Sequence, residues 1–386
     1  MTKKTIVLLG FVSLIACTKE PIAKMDTPLQ TTELRTPDQV LQFAQQEMPD
    51  AFPPEEIALI KTLLNDEDLL EFRSGNTVTV PAGSVDALAD AIAEAGEGGT
   101  VVLEAGMHTE LAQLIIDSKV RIKGEEGAEL TLHAPDILDY TASIQPGIIT
   151  HGVGTIIEGI SITPDVTIGG VGIWNTGNKA IVRECTFNGF QIAILNNGGN
   201  QFKVHHNDIT TSDIWYTNEV ADAYGVVIMN GNSCSITNNT IQQSVFGIWE
   251  CVKGGICMGN ETSGNFYGHI LCKVPEAYIA YDGTVVGAAE PANHWIIALN
   301  NSHDNLYAGF VTIDGAYANL LVANTASNNG SYDFDFVGDS ERFGFLTPFT
   351  HDNRGYFKPG QTVKDCGVDN KIIGGTQIDI TTDECF

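Results

Sequence analysis

The sequence predicts an all-β solenoid preceded by a short helical segment. Three observations carry that prediction. Beyond residue 95, short strand-forming runs follow one another with turns and no helix between them; asparagines recur at a nearly constant step; and a second column keeps step with the first. Composition agrees, because 43% of the 386 residues are apolar and 40 are glycine, as in a globular chain rich in turns. Charged residues are sparse at 18% yet one-sided, with 48 Asp and Glu against 20 Lys and Arg and a net charge of −28. A binder of phosphate backbones needs clustered cations, so nucleic acid is not an expected partner.

At the start of the chain, Lys3 and Lys4 precede an apolar run from Ile6 to Leu14 that is too short to span a bilayer. Leu14-Ile15-Ala16-Cys17 closes it. The segment resembles a bacterial lipoprotein signal. The resemblance implies cleavage before Cys17 and lipidation of its thiol, leaving a protein held in the cell envelope by its lipid, on the periplasmic or outer-membrane surface. Losing Lys3 and Lys4 leaves 18 cations against 48 anions, a charge of −30. No later segment is apolar for long enough to cross a membrane. Residues 18–36, with Pro21 and Pro28, read as a tether. Within 37–75, Val40, Leu41, Phe43 and Ala44, then Ile57, Leu59, Ile60, Leu63 and Leu64, recur at helical spacing around Pro53-Pro54, which predicts two short helices with a packing role.

The solenoid is expected over 77–386. Val78-Thr79-Val80-Pro81 alternates as a strand, Ser84 is placed to cap an amphipathic helix through Ala95, and Thr100–Leu103 forms the next strand before a Gly106 turn. Segments such as Val204-His205-His206-Asn207-Asp208-Ile209 and Ile236-Thr237-Asn238-Asn239-Thr240-Ile241 then align. The column Cys185, Asn207, Asn239, Asn260, Asn301, Asn324 has intervals of 22, 32, 21, 41 and 23. Tyr224-Gly225, Phe246-Gly247, Tyr267-Gly268, Ala308-Gly309 and Tyr332-Asp333 keep the same step. Strand-only repeats of this length bury their apolar faces by stacking, and an asparagine at each turn supplies a left-handed backbone and stacked amides.

These repeats resemble the right-handed parallel β-helix proteins of the pectate-lyase-like superfamily, with units of the form Gly-Ile-x-x…Asn-Asn-x-Ile. The resemblance covers roughly Thr77 to Ile380 and implies that the Ser84–Ala95 helix caps the open end of a single-stranded right-handed parallel β-helix. It implies no one reaction, since lyases, hydrolases, epimerases and adhesins share the coil. The Asn-Thr-Asp, Asp-Asp and Gly-His-Gly segments of polygalacturonases do not occur, nor does the Tyr-Gly-x-Asp-Pro-His segment of mannuronan epimerases. Arg121-Ile122-Lys123 is more simply a first-coil strand.

Insertions point to the working face. Residues 210–224, 273–293 and 337–371 lengthen turns that border one sheet, so they are expected to wall it. Alternation places Trp174, Leu195, Val227, Trp249, Ile270, Val311 and Asp335 on the outer surface of that sheet, either buried under the loops or open as a groove. An open groove suits a glycan, because aromatic faces stack on sugar rings while acids and amides bind hydroxyls. The candidate binding residues are Trp174, Trp249, Trp215, Tyr216, Tyr281 and Arg354. For chemistry, Asp333 and Asp335 share a strand face, Asp333 stands where most coils have glycine, and Asp339, Arg342 and His351 follow in the longest loop. Asp333, Asp335, His351 and Arg342 are the candidate acid, base and cation set for a lyase, epimerase or hydrolase, and Asp333, Asp335 and Asp339 would hold Ca2+ if a cofactor is used. Salt-bridged solvated surface is the competing account.

Cysteines show no zinc pattern. Cys366 and Cys385 flank the last coil and are expected to pair, while Cys251 and Cys272 should stack as small core fillers. His205-His206 should point to opposite sides of its strand and so fail to chelate. The expected protein is a monomeric, lipid-anchored envelope solenoid that binds a polysaccharide, with its cleavage or epimerisation left open. The alternatives are a non-catalytic structural or adhesive solenoid and an accessory binding protein of a periplasmic system.

Overall fold

The computed structural model describes residues 34–65, 75–137, 144–211, 223–273, 278–279, 285–286, 290–338, 340–342, 345–378 and 385. The chain winds into a right-handed parallel β-helix whose coils have three faces. Face one runs from Thr77–Val80 to Leu320–Val322, face two from Gly106–Glu110 to Thr325–Ser327, and face three from Leu114–Ile116 to Tyr332–Phe336. Arg354–Asp365 then crosses from face one to face three, pairing Arg354 with Leu320 and Val363 with Phe334, and Lys371–Gln377 lies beside it. Most of the expected 337–371 insertion is therefore a coil of its own. Only its first part is a loop.

Inward positions stack as registered rows. Ile157, Val182, Val204, Ile236, Cys257, Ile297 and Leu321 form one on face one, and Ile173, Ile194, Val226, Ile248, His269, Phe310 and Phe334 form one on face three. β-branched residues suit this pleated, two-sided burial. Phe310 and Phe334 stack with ring centroids 4.9 Å apart.

Corners are built from a left-handed residue followed by an asparagine. At the first corner the left-handed positions are Glu184, His206, Asn238, Gly259, Leu299 and Ala323, and the rungs are Cys185, Asn207, Asn239, Asn260, Asn300 and Asn324. Each amide oxygen accepts the backbone N–H of the preceding rung, and the Asn207 and Asn239 side chains also donate forward at 2.9 Å. The amide nitrogen of Asn239 donates backward to the Val204 carbonyl as well. A left-handed non-glycine residue costs about 1–2 kcal/mol, and the satisfied amides offset it. Two expectations change. The rung is Asn300, whereas Asn301 is exposed and paired with Glu261 and Thr325 in face two; and the left-handed residue precedes the asparagine. Two further ladders, Asn265-Asn305-Asn329 and Asn319-Asn353-Asn370, hold the other corners.

Among the described residues three helices complete the fold, α1 (Pro37–Glu47), α2 (Pro54–Leu64) and α3 (Leu88–Ala95). α3 buries Leu88, Ala91, Ile92 and Ala95 against the first coils. It starts at Leu88 and not near Ser84, whose hydroxyl turns back to the Pro81 carbonyl; the Leu88 N–H is met by the Glu110 carboxylate at 2.9 Å. α1 is closed by a capping box between Thr36 and Gln39. Together α1 and α2 lay Val40, Phe43, Ile57 and Ile60 on the outside of face one, over Ile256, Ile296, Leu320 and Tyr356. Cys366 and Cys385 form a disulfide. No helix among the described residues is long and apolar enough to cross a membrane.

Candidate functional site

Residues Trp174, Leu195, Val227, Trp249, Ile270, Val311 and Asp335 are one registered row on face three. The row is buried along its whole length, with Trp174 1% and Trp249 3% exposed, so it offers no open platform. Trp249 directs its ring N–H at the Cys272 sulfur and packs edge-on against Tyr224 and Phe246. Trp174 and Trp249, two of the three tryptophans expected to bind substrate, are thus buried in this row.

Of the proposed acid, base and cation set, Asp333, Asp335 and His351 each have partners of their own. Asp333 ties down a corner, accepting from the Asn329 amide at 3.0 Å and the Thr362 N–H at 2.8 Å. Asp335, 1% exposed on face three, lies 3.7 Å from the Lys364 ammonium and accepts the Tyr307 hydroxyl at 3.4 Å. His351 sits at the corner leading into face one, stacked on Tyr317 with centroids 5.1 Å apart and 2.9 Å from the Asp352 carboxylate. Arg354 binds Glu47 at the C-terminal end of α1, joined there by Tyr356 and Lys371. It also lines a cleft of about 400 Å³ with His294, Asp352, Asp369 and Lys371, but its charge is committed to α1. Cys17, Trp215, Tyr216, Tyr281 and Asp339, and the side chain of Arg342, lie outside the described residues.

What the fold does assemble is a ladder of rings along the corner between faces two and three. Tyr224 stacks on Phe246 at 5.1 Å, Phe246 meets Tyr267 at 5.6 Å, Phe266 stacks on Tyr307 at 5.7 Å, and Tyr307 meets Tyr332 at 6.0 Å. Phe246, Phe266, Tyr307 and Tyr332 are half-buried, and Leu306 beside them is 52% exposed. At its C-terminal end the ladder meets polar groups, with the Lys364 ammonium 5.2 Å from the Tyr332 ring centre and the Tyr307 hydroxyl on Asp335. Glycine follows three of these rings, Tyr224, Phe246 and Tyr267, and for Gly247 and Gly268 the reason is steric: a Cβ there would meet the next coil's backbone oxygen at 2.6 Å. The ring-glycine column was visible in the sequence as a register mark. Its chemical content is the ladder.

His205 and His206 also differ from expectation. The left-handed backbone at His206 breaks strand alternation and brings the two Nδ1 atoms to 3.0 Å, on one side of the chain.

No protein-family model matches the chain, and no curated protein matches it. Among solved structures, it is similar to a polygalacturonase from Erwinia carotovora ssp. carotovora (11% identity, 82% of this chain and 98% of that one, TM-score 0.49). It is also similar to a PL6 family polysaccharide lyase from Pseudopedobacter saltans (13%, 84% and 92%, TM-score 0.43). A third is a tailspike protein of Acinetobacter baumannii bacteriophage Fri1, a capsular polysaccharide depolymerase (12%, 80% and 65%, TM-score 0.42). These are likenesses of coil architecture, and the strand register above carries the fold without them.

Proposed function

We propose that the chain is an envelope-anchored solenoid that binds a polysaccharide along the aromatic corner from Tyr224 to Tyr332. The observation that supports this reading is the ladder itself: the half-buried rings of Phe246, Phe266, Tyr307 and Tyr332 present apolar faces, and the last two phenols, to a repeating amphipathic ligand. The anchor is proposed from the Leu14–Cys17 sequence. Cleavage or epimerisation is the finer part of the proposal, and the half-buried Tyr307, whose hydroxyl is backed by the buried Asp335 carboxylate, is the polar residue nearest a sugar at the end of the ladder. The experiment is a glycan array with the parent protein and the Phe246→Ala/Tyr307→Ala variant, followed by ultraviolet detection of unsaturated products on any glycan bound. Loss of about 1.4 kcal/mol of binding, or tenfold, is expected from removing the two faces. Unchanged binding by the variant removes the ladder from the function.

A second reading, a structural or adhesive solenoid, is favoured by one observation: the outer row of face three is buried. A parent protein that binds no glycan on the array would support it.

A further inference from the structure

Glu250, Cys257 and His269 converge inside the solenoid. Glu250 ends the face-three strand Phe246–Glu250, Cys257 is an inward residue of face one, and His269 takes the inward position of face three one coil later, between Ile248 and Phe310. Glu250, Cys257 and His269 are all 0% exposed. His269 Nδ1 lies 3.3 Å from Glu250 Oε1 and 3.7 Å from Cys257 Sγ, and the three ligand atoms all fall within 4.8 Å of one another.

We propose that Glu250, Cys257 and His269 hold a divalent transition-metal ion of the zinc class in the core of the β-helix. Three features point this way. First, the spacing fits: bond lengths of about 2.0–2.1 Å to nitrogen and oxygen and 2.3 Å to sulfur place tetrahedral ligand pairs about 3.3 Å (N to O) and 3.6 Å (N to S) apart. Second, one imidazole nitrogen faces both the thiol and the carboxylate. A nucleophilic relay would use the two ring nitrogens for the two partners, so the arrangement is convergent and not serial. Third, the site has unmet polar capacity in a dry interior, since Glu250 Oε2 and His269 Nε2 are fully buried without hydrogen-bond partners. A carboxylate buried this deeply needs a compensating charge, and a dication with one thiolate and one carboxylate makes a neutral cluster. Asn260, a rung of the first-corner ladder, donates its amide to the Cys257 sulfur at 3.3 Å, the kind of outer contact that orients a thiolate. Phe310 stacks on the His269 ring at 4.7 Å and fixes its plane. The set mixes three residue types on three strands, so no linear spacing motif announced it.

The ion would act structurally, joining two adjacent coils and two faces from within. The test uses the full chain. Elemental analysis of protein purified without added chelator should find about one zinc per chain, and cobalt(II) added to metal-free protein should give tetrahedral d–d bands with a sulfur charge-transfer band. Cys257→Ala and His269→Gln should each lower bound zinc at least tenfold, whereas Cys234→Ala, which removes another buried thiol, should leave it unchanged. Because the single variants carry a damaged core, Glu250→Leu/His269→Phe serves as a refolding control that should fold without zinc and show no zinc-dependent rise in Tm. A parent protein that purifies free of metal, gives no cobalt spectrum and melts at the same temperature with and without zinc would overturn the proposal, leaving Glu250 and His269 as a buried hydrogen-bonded pair.

Discussion

Asn239 shows how much one side chain carries. It accepts from both the N–H and the amide of Asn207, and donates to the Val204 carbonyl and to Asn260. Asn239→Ala should cost about 1–3 kcal/mol in chemical denaturation, because buried groups lose their partners. Asn301→Ala should stay within about 0.5 kcal/mol, since Asn301 is exposed in face two. The contrast tests the register directly. The step of this column was legible in the sequence, but its phase at Asn300-Asn301 was not, because two identical neighbours satisfy the same pattern and only the left-handed turn at Leu299 separates them. Trp249 was legible as a face-three residue, and its burial remained one of two alternatives, since alternation gives a side chain's direction and not what lies over it. Trp249→Ala should therefore lower stability by about 3–5 kcal/mol through a cavity.

At the level of elements, α1 and α2 appeared in the sequence as amphipathic periods. Their destination did not, because the apolar outer row Ile256, Ile296 and Leu320 reads as ordinary buried strand until a helix is seen upon it. α3 was likewise visible as a helix, but its start was fixed by Glu110, which is 22 residues beyond Leu88. Glu47 makes the docking of α1 pH-dependent. Burial alone would raise its carboxyl, but the Tyr356 hydroxyl, the Lys371 ammonium and the Arg354 guanidinium outweigh that and hold it below the usual carboxylate value. A value lower in the folded state means that the contribution is complete at neutral pH and is lost as the pH falls through the glutamate range toward the folded value. Urea midpoints measured between about pH 3 and pH 6 should fall with acid, and Glu47→Gln should flatten that part of the slope.

For the whole molecule, the helical segment acts as a cover. Ile60→Asp, which buries a charge against face one, should release α1 and α2 and expose the row beneath, seen as dye binding and self-association in light scattering. The Cys366–Cys385 bridge closes a loop of 19 residues at the far end, and its reduction should cost about 3 kcal/mol in stability. The overall architecture was legible because every coil repeats its evidence, whereas the ring ladder and the core Glu-Cys-His cluster emerge only when coils are superposed. The first-corner amides add a direction to this repetition. From Cys185 through Asn300, each backbone N–H donates to the amide oxygen of the rung that follows it in the chain. A newly made coil is therefore left with open donors until its successor arrives, so assembly is vectorial: synthesis, which delivers the N-terminal end first, presents each coil unfinished to the next, and a chain cut between rungs ends on unsatisfied groups.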